Sequence, residues 1–314
     1  MKKTKKIDVT SIIFKTIFCA ILVLYSISLI AMMLWGLLTS LKSNLDFRIM
    51  NNVLGLPNLE VSRDEFLKLN NYKLMLEHFE FTKKAIYYSG NKLITHETHN
   101  GILQMLINTI VYAILGSVLH ALVTSIVAFM CVKYKQYVLA RIVYGAVIVT
   151  MTLPLVGTAP ATIELLRNLN LYDSFLGMAM QKFTFTGMHF LVLYAFYEGL
   201  PDSYQEAAEI DGASYYRILF SIILPLAMKV ISTSVLLTFV NLWNDYQTPL
   251  LYLPTYPTLA YGVYYMSEGG SIGKLANTPA RIAGCMMLAI PIFILFMFMR
   301  NKLMGNISIG GVKE

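Results

Sequence analysis

Apolar stretches close to the length of a bilayer crossing divide this sequence, and that alternation leaves few folds open. With about 20 apolar residues needed to cross the hydrocarbon core, about six spans are predicted, at residues 12–38, 102–132, 138–155, 175–197, 219–240 and 282–299. Inside lipid every peptide group must be satisfied within its own segment, so the expected fold is an all-α polytopic membrane protein. Only 14% of the 314 residues are charged, against about a quarter in a soluble domain. The net charge of +7 does not point to nucleic acid, because the basic residues gather at the ends of the apolar stretches and not along one polar face.

The first stretch follows Lys2, Lys3, Lys5 and Lys6, as a secretory leader would. At about 27 residues, without a small-residue cleavage pattern, it reads as an uncleaved first span. Basic residues also mark the turn at Lys133, Lys135 and Arg141 and the tail at Arg300, Lys302 and Lys313. The basic bias of cytoplasmic loops puts all of these, with both termini, on the cytoplasmic side of a multi-pass membrane protein. Three regions follow: residues 1–43 with the first span, an extracytoplasmic segment 44–100, and a membrane core 101–314. In 44–100 basic and acidic residues nearly balance, which suits a small folded cap without naming one. Cys19, Cys131 and Cys285 lie in or beside apolar stretches without metal-ligand spacing, as small buried hydrophobes do.

The connection after residue 197 breaks the charge rule. It belongs on the cytoplasmic side by span count, yet it holds Glu198, Asp202, Glu206, Glu209 and Asp211 against Arg217. A protein partner that supplies the positive charge would explain it, as would a solvated helical hairpin. Ser203 with Glu206 three residues on reads as a capping box, so a helix is predicted from Ser203 to about Asp211. Gly212 breaks it, and a second helix begins after Ser214 and runs to Pro225, which kinks or delimits the fifth span. Tyr204, Ala207, Ala208 and Asp211 share one face of the first helix, where two alanines let another backbone approach; the same alanines also suit any helix.

The spacing Glu206-Ala207-Ala208, three residues, Gly212, nine residues, Ile222, one residue, Leu224-Pro225 resembles the "EAA" signature of the membrane (permease) subunits of bacterial ATP-binding-cassette importers. Further residues resemble the carbohydrate, maltose-type branch: Asn108-Thr109, Asp211-Gly212-Ala213-Ser214, Trp243-Asn244-Asp245 with Pro249-Leu250, and Gly310-Gly311-Val312-Lys313. The likeness covers most of the chain from Ile107 onward, while 44–100 is longer than usual. It implies the type I importer permease fold and a heterodimer with a second permease subunit. It also implies two ATP-binding subunits that hold ATP and Mg, and an extracytoplasmic solute-binding protein. This chain would then need no cofactor or metal of its own and would catalyse no reaction. The loop 201–225 would dock on an ATPase subunit through Glu206, Ala207, Ala208, Asp211 and Gly212. Gly269, Gly270 and Ser271, in the outer connection 252–279, would face the binding protein; an idle, flexible connector is the plain alternative.

A solute path through lipid needs inward polar groups, and Asn108, His120, Lys182, Asn241, Asn244 and Asp245 are the candidates. Asn108 and His120 also suit interhelical hydrogen bonds. Asn241, Asn244 and Asp245 surround Trp243, and sugar sites favour an aromatic face beside amides and carboxylates; an interfacial anchor is the rival role for Trp243. The fourth span can be drawn through Lys182 or after it; Lys182 is placed at the outer boundary, snorkelling, the alternative being a lysine inside the bilayer, which is functional by default.

Other motifs fail on inspection. Gly273-Lys274 has Glu268 and Leu275 where a phosphate loop needs Gly and Ser or Thr, and His96-Glu97-Thr98-His99 spaces its histidines by three instead of four. Asn306-Ile307-Ser308 fits a glycosylation triplet but lies in the cytoplasmic tail. A stand-alone secondary transporter needs matched broken helices or intramembrane ion-coupling carboxylates, and an intramembrane enzyme needs a nucleophile with base or metal. Neither accounts for an acidic helical hairpin.

Overall fold

The computed structural model describes residues 9–89, 92–153, 157–270 and 277–304. Two compact units emerge, one of residues 1–78 with 271–287, the other of 79–270 with 288–314.

The first unit is led by α1 (Val9–Ser40), 32 residues with no buried position across its most apolar window. Phe14, Leu24 and Met32 are exposed, so these side chains are placed to meet lipid or a partner. Gly36 permits a close approach: a Cβ there would lie 2.9 Å from the Met286 methyl. After α1 the chain folds into a small cap that contains a π-helical turn (Leu45–Ile49), α2 (Arg63–Leu67) and α3 (Asn70–His78). Its core is polar. Asp46, fully buried, accepts from Asn52 Nδ2, Asn58 N and Ser62 Oγ, each at 2.8 Å. Lys42, also fully buried, donates to the carbonyls of Asn52 at 2.6 Å and Val53 at 3.3 Å. Trp35 Nε1 donates to the Val53 carbonyl at 2.9 Å, and Asn71 Nδ2 to those of Ser40 and Lys42 at 2.8 Å. Burial pushes the Asp46 carboxyl up, but hydrogen bonds from Asn52, Asn58 and Ser62, with Lys42 nearby, outweigh it and hold the group below the usual carboxylate range. Burial lowers Lys42 against the opposing pull of Asp46.

The second unit begins with an antiparallel hairpin, β1 (Glu80–Ser89) and β2 (Lys92–Gly101), in register from Glu80↔Gly101 to Ser89↔Lys92. It leads into α4 (Ile102–Lys133), against which α5 (Val138–Thr152), α7 (Phe175–Gln181), α8 (Met188–Glu198), α11 (Leu224–Trp243) and α13 (Leu259–Tyr265) all pack. Between them lie α6 (Ala159–Asn168), α9 (Ser203–Ile210), α10 (Tyr215–Ile218) and α12 (Gln247–Tyr252), and the chain closes with α14 (Thr278–Met304). The reason for the central place of α4 is a buried stripe at helical spacing: Met105, Asn108, Tyr112, Gly116, Ala121, Ser125 and Ala128. Small and hydroxyl side chains let helices approach in a membrane; a Cβ on Gly116 would meet Leu242 Cδ1 at 2.6 Å.

Among the described residues four helical stretches are long and apolar enough to cross a membrane: Ile13–Ser40, Ile102–Lys133, Tyr215–Trp243 and Thr278–Phe298. The predicted third span is a 15-residue helix. It stops at Leu153, which is extended (φ −88°, ψ 123°) because Pro154 follows and bars the α region to the residue before it. The predicted fourth span is broken into α7 and α8. Gly187 at φ +100° stands directly before α8, a backbone that side chains resist.

The connection 252–279, expected on the outer side, is likewise no loose tether in its first half. Leu253, Thr255, Thr258, Leu259 and Tyr261 are buried there. Asn108 Nδ2 donates to the Pro257 carbonyl at 3.0 Å, Thr109 Oγ1 accepts from Leu259 N at 2.7 Å, and Asp173 accepts from Thr255 N and Oγ1 at 3.1 and 2.7 Å. The base of the hairpin packs on α13, with Phe81 edge-on to Tyr261 and Tyr265 at 4.9 and 4.8 Å.

Candidate functional site: a coupling hairpin and a polar path

The predicted helix, glycine turn and helix form as α9 and α10. Gly212 takes φ +73°, a left-handed conformation that closes the turn at little cost only in glycine. Ala213 N donates to the Ala208 carbonyl at 2.9 Å, and Ser214 Oγ caps α10 by accepting from Arg217 N at 3.4 Å. The capping box at Ser203 is not formed: helical geometry starts one residue earlier, at Asp202 (φ −61°, ψ −24°), whereas a capping residue needs an extended backbone. Before Pro225 the chain widens into a π-helical turn, Leu219–Ile223, and the proline is the second residue of α11.

Two expectations about the docking face change. Ala208 is only 6% exposed and sits in the core with Tyr197, Ile218 and Leu219, so it seats the hairpin on its own chain and does not look outward. Glu206, Ala207, Asp211 and Gly212 remain exposed. The acidic charge is also met in part from within: Lys133 Nζ lies 3.6 Å from Glu209 Oε1 and 4.6 Å from the centre of the Tyr215 ring. A polar recess of about 360 Å³ opens there, lined among others by Lys133, Lys135, Glu198, Asp202 and Glu206. The sequence reading missed an apolar part of the surface: Ile210 is 86% and Tyr216 78% exposed. Large apolar side chains left out on a helical hairpin were the available signal.

The polar candidates fall into two groups. Asn241, Asn244, Asp245, Tyr246 and Gln247 line a recess of about 340 Å³ at the end of α11. Trp243 is not its aromatic face; it is buried, and its Nε1 donates to the Leu288 carbonyl at 3.0 Å. Tyr246 takes that place, stacked on Tyr264 at 4.4 Å and 17°. Asp245 accepts from Tyr112 OH at 2.6 Å and from Thr248 N at 3.0 Å. Asn108 is buried and tied to Pro257 as above, with Gln104 Nε2 at 3.2 Å.

Lys182 caps the C-terminus of α7, its Cγ 3.4 Å from where a Cβ of Gly116 would be, level with the middle of α4. His120 Nδ1 is 3.1 Å from Thr184 Oγ1, and His120 meets His189 edge-on at 5.8 Å. Gly269 and Gly270 end a π-helical turn (Met266–Gly270), while Ser271, Lys274 and the residues after Met304 lie outside the described residues. Among the described residues no cluster of His, Cys, Asp and Glu is arranged to hold a metal.

A family profile described as "Binding-protein-dependent transport system inner membrane component" matches residues 126–304, which include the hairpin. The chain belongs to this family. Among proteins similar to this inner membrane component is the sn-glycerol-3-phosphate transport system permease protein UgpE of Yersinia pestis bv. Antiqua (strain Nepal516), 33% identical over 147 residues, 47% of this chain and 52% of that protein. The chain thus spans about half the length of such relatives. The trehalose transport system permease protein SugB of Mycobacterium tuberculosis (strain CDC 1551 / Oshkosh) is 24% identical over 209 residues, 64% of this chain and 76% of that one. The sulfoquinovosyl glycerol transport system permease protein SmoH of Agrobacterium fabrum (strain C58 / ATCC 33970) is 27% identical over 217 residues, 66% and 72% of the two chains. The fold of the inner membrane component is that of a chain in the crystal structure of a bacterial ABC transporter involved in the import of the acidic polysaccharide alginate. The two match with a TM-score of 0.71 at 19% identity, over 95% of this chain and 99% of that one.

Proposed function

We propose that this inner membrane component is one of two permease subunits of an ATP-driven importer and forms half of a path for a sugar or oligosaccharide. The observation that carries the reading is the exposed hairpin of α9 and α10 with its left-handed Gly212. It has the spacing of the importer signature and stands on the core at Ala208, so that movement of a docked partner would be passed to α11 through the continuous stretch Tyr215–Trp243. Two ATP-binding subunits would hold ATP and Mg and close on ATP, and an extracytoplasmic solute-binding protein would deliver the solute on the side of Gly269 and Gly270. The termini and the hairpin face the cytoplasm on this reading. The sugar class is supported by the amides, carboxylate and stacked tyrosines around Asn241, Asn244, Asp245 and Tyr246 and by the likeness to the trehalose permease. The likeness to UgpE favours a second reading, with a glycerol phosphate as solute.

Gly212→Asp or Glu206→Lys tests the docking role in the whole transporter. Each variant should reach the membrane and leave ATP hydrolysis unlinked to uptake. Normal transport by either one would overturn the docking role.

A further inference from the structure

A backbone that leaves helical hydrogen bonding inside the hydrocarbon has to be covered by protein or to line water, because each unpaired peptide group facing lipid costs several kcal/mol. Residues 182–187 are such a backbone, between α7 and α8. They run beside the middle of α4: Lys182 against Gly116, Thr184 Oγ1 3.1 Å from His120 Nδ1, and the Thr184 carbonyl accepting from Thr124 Oγ1 at 3.2 Å. Yet Phe183, Thr184 and Thr186 are exposed on the surface of the chain. An unwound, hydroxyl-bearing segment exposed at that depth suits a wet path and does not suit lipid.

The polar side chains at the break can each donate a hydrogen bond, and Lys182 can only donate. The Lys182 ammonium sits 5.6 Å from the centre of the Tyr112 ring and has no hydrogen bond or ion pair among the described residues. The carboxylate bound to that tyrosine, Asp245, is already held by Tyr112 OH and Thr248 N. The hydroxyls of Thr184 and Thr186 and the imidazoles of His120 and His189 complete the group. An ammonium left unpaired at membrane depth is expensive and by default functional. The chemistry that would complete it is an anion carrying hydroxyls.

We propose that the break at 182–187, with His120 and His189 beside it, is a solute station on the translocation path, and that Lys182 selects an acidic carbohydrate there. The station rests on the permease reading for its place in a path, but its wetness and charge preference can be measured without ATP or coupling. With Cys19, Cys131 and Cys285 replaced, Thr186→Cys in the assembled transporter is labelled with an anionic and a cationic water-soluble methanethiosulfonate. The anionic reagent should react about tenfold faster, Lys182→Gln should abolish the preference, and Lys182→Arg should keep it. Galacturonate should slow the labelling more than galactose does. Absence of labelling by either reagent, a rate ratio indifferent to Lys182→Gln, or equal effects of galacturonate and galactose would overturn the station. Uptake measured on the same vesicles separates the two ideas. A charge-selective station with no ATP-driven carbohydrate uptake sinks the permease reading alone, and uptake without charge selectivity sinks the station alone.

Discussion

Residues 40–72, after α1, and residues 203–218, between α8 and α11, dispose of their charges in opposite ways. In the first, Lys42 and Asp46 are turned fully inward and bonded to backbone and side chains of the same small cap. In the second, Glu206 and Asp211 are turned out, and the hairpin rests on its chain through Ala208 and a partly exposed Lys133–Glu209 pair. Buried polar groups that satisfy one another fix a local structure. Exposed ones over a small buried footing keep a surface available for another molecule. The cap is closed on itself, and the hairpin leaves its charges in the open.

The largest effect that sharpens this contrast is on function without stability. Gly212→Asp, at a position where an added Cβ meets nothing within 4 Å but φ is +73°, should cost about 1–2 kcal/mol locally. Uptake should nevertheless fall to background, read as transport per ATP hydrolysed.

Asp46→Ala should do the reverse. It strips Asn52, Asn58 N and Ser62 of their acceptor inside the cap, a loss of about 3–5 kcal/mol. Amide exchange over residues 45–62 should accelerate accordingly while residues 203–218 stay as they were. The pH dependence carries the same sign for both buried charges. Asp46 is held below its ordinary value, so its contribution is present above about pH 3.9 and is lost as pH falls through the lowered value. Lys42 is also lowered, so the unfolded cap binds more protons and protection rises as pH climbs from the lowered Lys42 value toward about 10.4. Protection factors in the cap that are flat with pH would break the account of its core.

Ala208→Leu probes the hairpin's footing. Ala208 is packed among Tyr197, Ile218 and Leu219, and overpacking there should cost about 1–3 kcal/mol. The measured result should be faster exchange in α9 and α10 together with lower coupling, with no change in residues 45–62.

How far each region was legible follows from the same contrast. The hairpin is fixed by local chemistry, Gly212 for the turn and Ser214 for the cap, and its surface is a fixed spacing of residues, so a linear reading reaches it. Ala208 was read as facing out because helical spacing puts it on a face with Tyr204 and does not say which face the core takes. The cap has no such signature. Lys42, Asp46, Asn52, Asn58 and Ser62 look like an ordinary mixed loop until the fold brings them together. The break at 182–187 is an intermediate case: Thr184, Thr186 and Gly187 weaken a helix and Lys182 interrupts the apolar run, but an apolar window averages over them. Trp243 was assigned to the path for its chemistry, which Tyr246 shares, and only packing decides between them.

The smallest effect belongs to the Lys133–Glu209 pair. Glu209 is 50% and Lys133 15% exposed, so solvent screens the attraction and Lys133→Gln should cost less than about 1 kcal/mol. It ties the last turn of α4, which ends at Lys133, to α9 and, through the Tyr215 ring, to α10. If the hairpin is held mainly by its buried footing, Lys133→Gln should change coupling by a few-fold at most, and Lys133→Glu with Glu209→Lys should restore it. A loss of coupling as deep as that of Gly212→Asp would mean that the charges of the hairpin, like those of the cap, are committed inward, and the contrast between the two regions would fail at that point.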